Sequence, residues 1–286
     1  MKLALTRTRK LADISNIAAG ATRSDKIGIK KNIHAIVMYF QTSAGVGLTK
    51  AEMIADIDMI RLRMNGVQIF EATVQEILDL YHYKYGDNGS FTEAGCLPLI
   101  FKKADLPIND LRRGYALGMG AEDGPINVLT YEIDFNATVS KAATGKIWVQ
   151  FDDEPSRPFG AHIRTIRHHR THSATGVQEI TDMPVKSRKN LLAYHFHKGG
   201  IESVHVKYNG VDIKDQEPYD LMKLAMHSAE RTPQSGYTHV PFDLDNDADA
   251  SLPMGPGVDD FVLKPNWSTS PGGAYIILEE SVYFGL

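Results

Sequence analysis

The amino-acid sequence predicts an all-β protein made of two tandem jelly rolls, each of the eight-stranded type, with a short helix inserted in each. Three observations carry that prediction. The stretch Ile60–Leu80, IRLRMNGVQIFEATVQEILDL, returns without a gap as Val204–Leu224, VHVKYNGVDIKDQEPYDLMKL, an offset of 204 − 60 = 144 positions in a chain of 286 residues. Short alternating segments recur along both halves, as strands of a β-sandwich do. Each half carries one clear helical pattern, too few for a sheet of strands alternating with helices.

Both copies of the repeat place Asn-Gly between alternating runs, Asn65-Gly66 and Asn209-Gly210. That dipeptide suits a two-residue type I′ turn, in which both central residues need positive φ. Such a turn sets Met64 opposite Val67 and Leu62 opposite Ile69, and groups Ile60, Leu62, Met64, Val67 and Ile69 on one apolar face. Arg61, Arg63 and Gln68 fall on the other. In the second copy Val204, Val206, Tyr208, Val211 and Ile213 share the apolar face, against His205, Lys207, Asp212 and Lys214. A helix should follow each hairpin. Thr73 with Glu76 reads as a capping box, Val74, Ile77, Leu78 and Tyr81 as the buried stripe, and Gly86 as the stop. In the second copy Pro218 suits the first turn, and Leu221, Leu224 and Ala225 form the expected stripe.

The remaining elements follow in order. Residues 1–26 read as an extended, basic N-terminal arm (Lys2, Arg7, Arg9, Lys10). The first jelly roll spans 27–154 and the second 155–286. In the first, IHAIVMYF (Ile33–Phe40) is a strand, Gln41–Met59 a long loop, and GCLPLIFK (Gly95–Lys102) a strand. A short helix is expected around Asn109–Arg113, then strands VLTYEIDF (Val128–Phe135) and GKIWVQF (Gly145–Phe151). DDEPSRP (Asp152–Pro158) has the composition of a solvated linker. The second half answers with LLAYHFH (Leu191–His197), THVPFDLD (Thr238–Asp245), Phe261–Lys264 and GAYIIL (Gly273–Leu278).

A hydrophobic content of 43% supports real cores, and a net charge of −4 spread along the chain demands no polyanionic partner. The single cysteine, Cys96, excludes an intrachain disulfide framework and fits a reducing compartment. Charges interrupt MKLALTRTRK, so it does not read as a secretory signal, and no apolar run reaches the roughly 18 residues of a spanning helix. A soluble chain made in cytoplasm is expected.

Candidate chemistry is sparse. His195 and His197 on one strand, with Glu202 beyond them, match a cupin-type metal motif in part; alternate strand residues put both rings on one face, as ligation requires. The leading glycine and a second-motif histidine are missing, and surface or interface histidines are the plainer reading. RTIRHHRTH (Arg164–His172) reads as a basic loop, because Arg164, Arg167 and Arg170 would repel a metal. Asp243, Asp245 and Asp247 alternate in DLDNDADA and are the candidate calcium ligands, weighed against a solvated acidic loop. A carbohydrate-binding sandwich would need exposed aromatics, for which Trp148 and Trp267 are the tryptophans available, and Trp148 reads as core. Gly118, Gly120 and Gly124 do not lead from strand to helix as a phosphate loop must.

Several segments together resemble one known family. They are SNIAAG (Ser15–Gly20), VQEILDL (Val74–Leu80), RGYALG (Arg113–Gly118) followed by LTYEIDF (Leu129–Phe135), EITDMP (Glu179–Pro184) and KGGIESVHVKYNG (Lys198–Gly210). They are similar to the major capsid protein of corticovirus-type, membrane-containing icosahedral bacteriophages of the double jelly-roll lineage. The resemblance implies a structural, non-enzymatic protein of the virion capsid, made in the host bacterial cytoplasm. It implies a homotrimer forming pseudo-hexagonal capsomers around an internal membrane and a DNA genome. Its partners would be neighbouring capsomers, penton or vertex proteins and membrane-associated viral proteins, with the basic arm turned towards the membrane. No cofactor is required; calcium is a candidate ion, and Asp243, Asp245 and Asp247 would be its ligands. The competing reading is a duplicated cupin-type metal-dependent enzyme.

Overall fold

The structure is a computed structural model that describes residues 6–15, 17–86, 94–101, 115–120, 127–244 and 251–285. The helix expected at Asn109–Arg113 lies outside these. The chain divides into two compact units, one of Met1–Leu78, Ser90–Ile163 and Gly285–Leu286, the other of Asp79–Gly89 and Arg164–Phe284.

The first unit contains β1 (Thr6–Lys10), β2 (Thr22–Lys26), β3 (Ile33–Gln41), α1 (Lys50–Asp56), β4 (Ile57–Met64) and β5 (Val67–Ala72). After α2 (Val74–Tyr85), which runs into the second unit, come β6 (Cys96–Ile100), β7 (Leu129–Phe135) and β8 (Thr144–Asp152). Pairing gives two sheets, β1-β8-β3-β6 and β2-β7-β4-β5. β7 shows why they close on each other. Leu129, Tyr131, Ile133 and Phe135 point inward, and Thr130, Glu132 and Asp134 point out. On that outer face Arg61 donates to Glu71 and Glu132 at 2.9 and 2.8 Å and pairs with Asp134, while Arg63 reaches Glu132 at 2.9 Å.

The second unit takes most of β9 (Ala161–His172), then β10 (Gly176–Val177), β11 (Lys189–Phe196), β12 (Ile201–Tyr208), β13 (Val211–Pro218) and α3 (Tyr219–Ser228). β14 (Thr238–Pro241), the short β15 (Leu252–Pro253), β16 (Phe261–Trp267) and β17 (Gly273–Phe284) complete it. Its sheets are β9-β17-β11-β14 and β10-β16-β12-β13. Leaving β15 aside, each unit orders its eight strands first-eighth-third-sixth and second-seventh-fourth-fifth. That is the jelly roll the sequence predicts, with a helix between the fifth and sixth strands of each unit.

The repeated hairpins are built alike. Asn65 and Gly66 have φ of 51° and 83°, Asn209 and Gly210 of 48° and 77°, the two positive values of a type I′ turn. Each asparagine also ties its turn to the start of the seventh strand. Asn65 Oδ1 accepts from Val128 N at 2.8 Å, and Asn209 Oδ1 accepts from Asp259 N at 2.8 Å. The register beyond the turns differs from expectation. Met64 does face Val67, but a bulge then sets Leu62 opposite Phe70 rather than Ile69. In β13 the shift is larger: Val206 faces Lys214 and Val204 faces Glu217, with Gln216 in the left-handed region at φ 46°.

Several further expectations are corrected. The described part of the N-terminal arm contains β1 and β2, the first strands of the jelly roll. The loop Gln41–Met59 holds α1, started by a capping box of Thr49 and Glu52. RTIRHHRTH lies in β9 rather than in a loop. Asp152, expected in a solvated linker, ends β8 and is buried, accepting from Asn32 Nδ2 at 3.0 Å beside His34 Nε2 at 2.8 Å. Val67, Val211 and Ile213 are exposed. On α3 the buried residues are Tyr219, Met222 and Met226, while Leu221 and Leu224 face out. The two stripes have the same helical period one position apart, so the hydropathy pattern fits both. The core around Phe261 and Trp267 takes the methionine side.

Candidate functional site

The histidines singled out by sequence lie in a buried polar layer of the second unit. His195 on β11 stands opposite His239 on β14, with their Nδ1 atoms 2.8 Å apart. One ring must therefore donate and the other accept. Glu280 on β17 lies 3.8 Å from His195 Nε2 and is paired with Lys84 of α2. The Nε2 atoms of both rings are buried without a hydrogen-bond partner among the described residues. Tyr83 stacks on His239 with ring centroids 4.2 Å apart, and His197 meets Tyr237 edge-on at 4.9 Å.

Burial drives the protonation behaviour of this layer. His239 is pushed well below the ordinary histidine value by burial, then by His195 and His197. His197 is depressed to about 3 by burial, with His195 and Arg167 adding to it. Burial acts to raise Glu280, but Lys84 and His195 prevail and hold it at about 2.

This is not the cupin-type set. Glu202, the expected third ligand, lies on β12 of the other sheet, is exposed, and accepts from Asn266 Nδ2 at 2.7 Å. Among the described residues no group of three or more histidine, cysteine or acidic side chains is arranged to hold a metal.

A second buried network lies next along β17. Glu279 receives Lys189 Nζ at 2.5 Å, the Ser281 hydroxyl at 2.7 Å and His168 at 3.0 Å. Burial opposes the charge on Glu279, and His168 and Lys189 outweigh it, leaving the carboxyl at about 2. His168 thus serves an internal ion pair. A charged pair of this kind is costly to desolvate and sharply destabilising when half is removed.

Of the aspartate run, Asp243 is buried and faces Arg231 at 3.5 Å. Asp245 and Asp247 lie outside the described residues. The tryptophans also depart from a sugar-binding pattern. Trp267 is buried in the core, and Trp148 is the half-buried one, edge-on to Tyr39 at 6.1 Å. What the sequence singled out is thus mostly internal scaffolding, and the exposed features are surfaces: an apolar patch on β13 and α3, and a basic strand, β1.

Comparison with known families fits a protein that works through surfaces. The model of the viral coat protein P2 N-terminal domain matches residues 8–149, and that of the P2 C-terminal domain matches 163–282. The chain belongs to the viral coat protein P2 family. Its role is structural, in a virus capsid, and not enzymatic. No curated protein matched it by sequence. The coat protein is similar in fold to the crystal structure of the major capsid protein P2 from bacteriophage PM2, with a TM-score of 0.80 and 18% identity, covering 99% of this chain and 98% of that one. It is also similar to the PBCV-1 virus capsid protein (TM-score 0.63, 13% identity, 99% and 95% covered). A chain of Sulfolobus turreted icosahedral virus matches with a TM-score of 0.65 and 12% identity, over 97% and 90%.

Proposed function

We propose that the coat protein assembles as a homotrimer whose six jelly rolls, two per chain, form a pseudo-hexagonal capsomer of an icosahedral shell around an internal membrane and a DNA genome. The observation that supports this is the identical strand order of the two units. Each chain contributes two equivalent eight-stranded walls, so three chains supply six. A closed ring needs contacts that repeat identically, and interfaces of obligate size, roughly 2,000–5,000 Å² in total, rather than a pocket. The partners in this reading are neighbouring capsomers, penton or vertex proteins and membrane-associated viral proteins, after synthesis in the host bacterial cytoplasm.

Light scattering on the purified chain tests the oligomer. The expected mass is three times 31.7 kDa, with a hexagonal outline in negative stain. A single-chain mass at every concentration overturns the reading. The residues before β1, with Lys2, are assigned to the membrane side. They should bind anionic but not neutral vesicles, with an affinity that falls as salt rises. With Asp243 turned onto Arg231, the calcium proposal rests on Asp245 and Asp247. Titration calorimetry should show calcium uptake that Asp245→Asn removes; a flat titration with the unaltered chain ends it.

A further inference from the structure

We propose that the outer surface of β13 and α3 in the second unit is the docking surface for another copy of the coat protein, which presents its basic edge strand β1. This rests on the oligomeric reading above and adds the surfaces through which one copy meets the next.

The first observation is a series of exposed apolar side chains on consecutive elements. Val211 is 63% exposed, Ile213 39%, Leu221 53% and Leu224 63%. β13 leads directly into α3, so these four large side chains share one stretch of fourteen residues, Val211–Leu224. Exposed apolar clusters of this kind mark contact surfaces.

The second observation is an open edge. β13 ends its sheet, with β12 on one side and no further strand of that sheet on the other among the described residues. An open strand edge is a template for pairing with another chain. The fifth strand of the first unit, β5, holds the equivalent place and buries Ile69, Phe70 and Ala72. Of the large apolar residues of β5 only Val67 is exposed, at 39%.

Charge selects the occupant. Asp212, Asp215, Glu217 and Asp220 outnumber Lys214 and Lys223 along the patch. β1 is complementary: Thr6, Arg7, Thr8, Arg9 and Lys10 are all exposed, none is acidic, and the strand ends its own sheet against β8. Its equivalent in the second unit, β9, buries Arg164 and Thr165. Within the chain Lys214 pairs with Glu217, Lys223 with Asp220 and Asp212 with His205, while Arg7 pairs with Asp153 and Lys10 with Asp13. With these pairs made, the patch stays net acidic and β1 net basic, so each chain carries one acidic-apolar edge and one basic edge. A contact between unlike surfaces passes from copy to copy and closes when the rotation allows, as it does for three.

Full-length chains test the proposal by light scattering and crosslinking. The unaltered chain is expected at three-chain mass. Leu221→Asp with Leu224→Asp, and separately Arg7→Glu with Arg9→Glu, should each drop to single-chain mass while keeping the circular dichroism spectrum. In a Cys96→Ser background, Thr8→Cys with Ile213→Cys should oxidise to covalent species of up to three chains, and each single cysteine should give no crosslink. Variants that stay at three-chain mass, with no crosslink from the cysteine pair, overturn this surface and leave the trimer standing. An unaltered chain that is monomeric overturns the trimer itself. Loss of assembly on α3 alone, with β1 variants unaffected and uncrosslinked, gives the patch to a different partner and also refutes the proposal. Where a charge variant does not fold, the crosslink of the cysteine pair decides.

Discussion

Asp56 ends α1 with its carboxylate buried and accepts three backbone N–H groups, from Ser140 at 3.0 Å, Lys141 at 2.8 Å and Ala142 at 2.7 Å. It fastens the turn before β8 to the start of β4. Asp56→Ala would strand three amides away from water, at about 2–4 kcal/mol of stability in all. Urea unfolding should show that loss; a midpoint unchanged from the native chain would refute it. Nothing in the sequence marks Asp56, because its partners lie more than eighty positions away. Thr49 and Glu52 are different. Their capping spacing is local, and the pattern T-x-x-E was there to be read. Asp152 was hidden by its neighbours, since DDEPSRP has linker composition although its first residue closes a strand and turns inward to His34.

At the scale of elements, strands with one buried and one wet face were found readily, as in LTYEIDF. Apart from the two-residue β10 and β15, the strands missed are rich in arginine, threonine and lysine. β1 is exposed at all five positions and β2 at four of five, so neither has an apolar rhythm. β9 carries its polar residues partly inward. This changes the expected effect of trimming the chain. Deleting residues 1–12 would remove β1 and strip the edge of β8 between Trp148 and Asp152. The truncated chain should melt several degrees lower, whatever its assembly. An unaltered melting temperature by calorimetry would show that β1 adds nothing to the unit. The second hairpin teaches the same lesson about register. Its turn was readable from Asn209-Gly210, but the register shifts beyond Asp212 were not.

For the whole molecule, the two jelly rolls share strand order but differ in how they respond to acid. The histidines with lowered pKa, the half-buried His197 and the buried His239, both belong to the second unit. Their folded values lie below the ordinary 6.5, so on acidification the unfolded chain takes up protons first. Stability is complete above that value and falls below it, by at most about 1.4 kcal/mol per pH unit for each histidine. Glu279 and Glu280, held at about 2 against an ordinary 4.5, add a further loss as pH falls from 4.5 towards 2. Urea midpoints should therefore drop between pH 7.5 and 5, with faster hydrogen exchange in β11, β14 and β17. Equal midpoints at both pH values would refute the assignment.

The sequence by itself determined the number of units, the jelly-roll class and the turn type, because a gapless repeat, alternation and Asn-Gly are local signals that survive without coordinates, and its quoted segments carried the resemblance to the family. Tertiary structure decided which of two helix stripes is buried on α3, where His195 and Asp243 find partners, and which edges remain bare. Those outcomes depend on residues brought together from distant parts of the chain, and hydropathy written along one dimension carries no record of them.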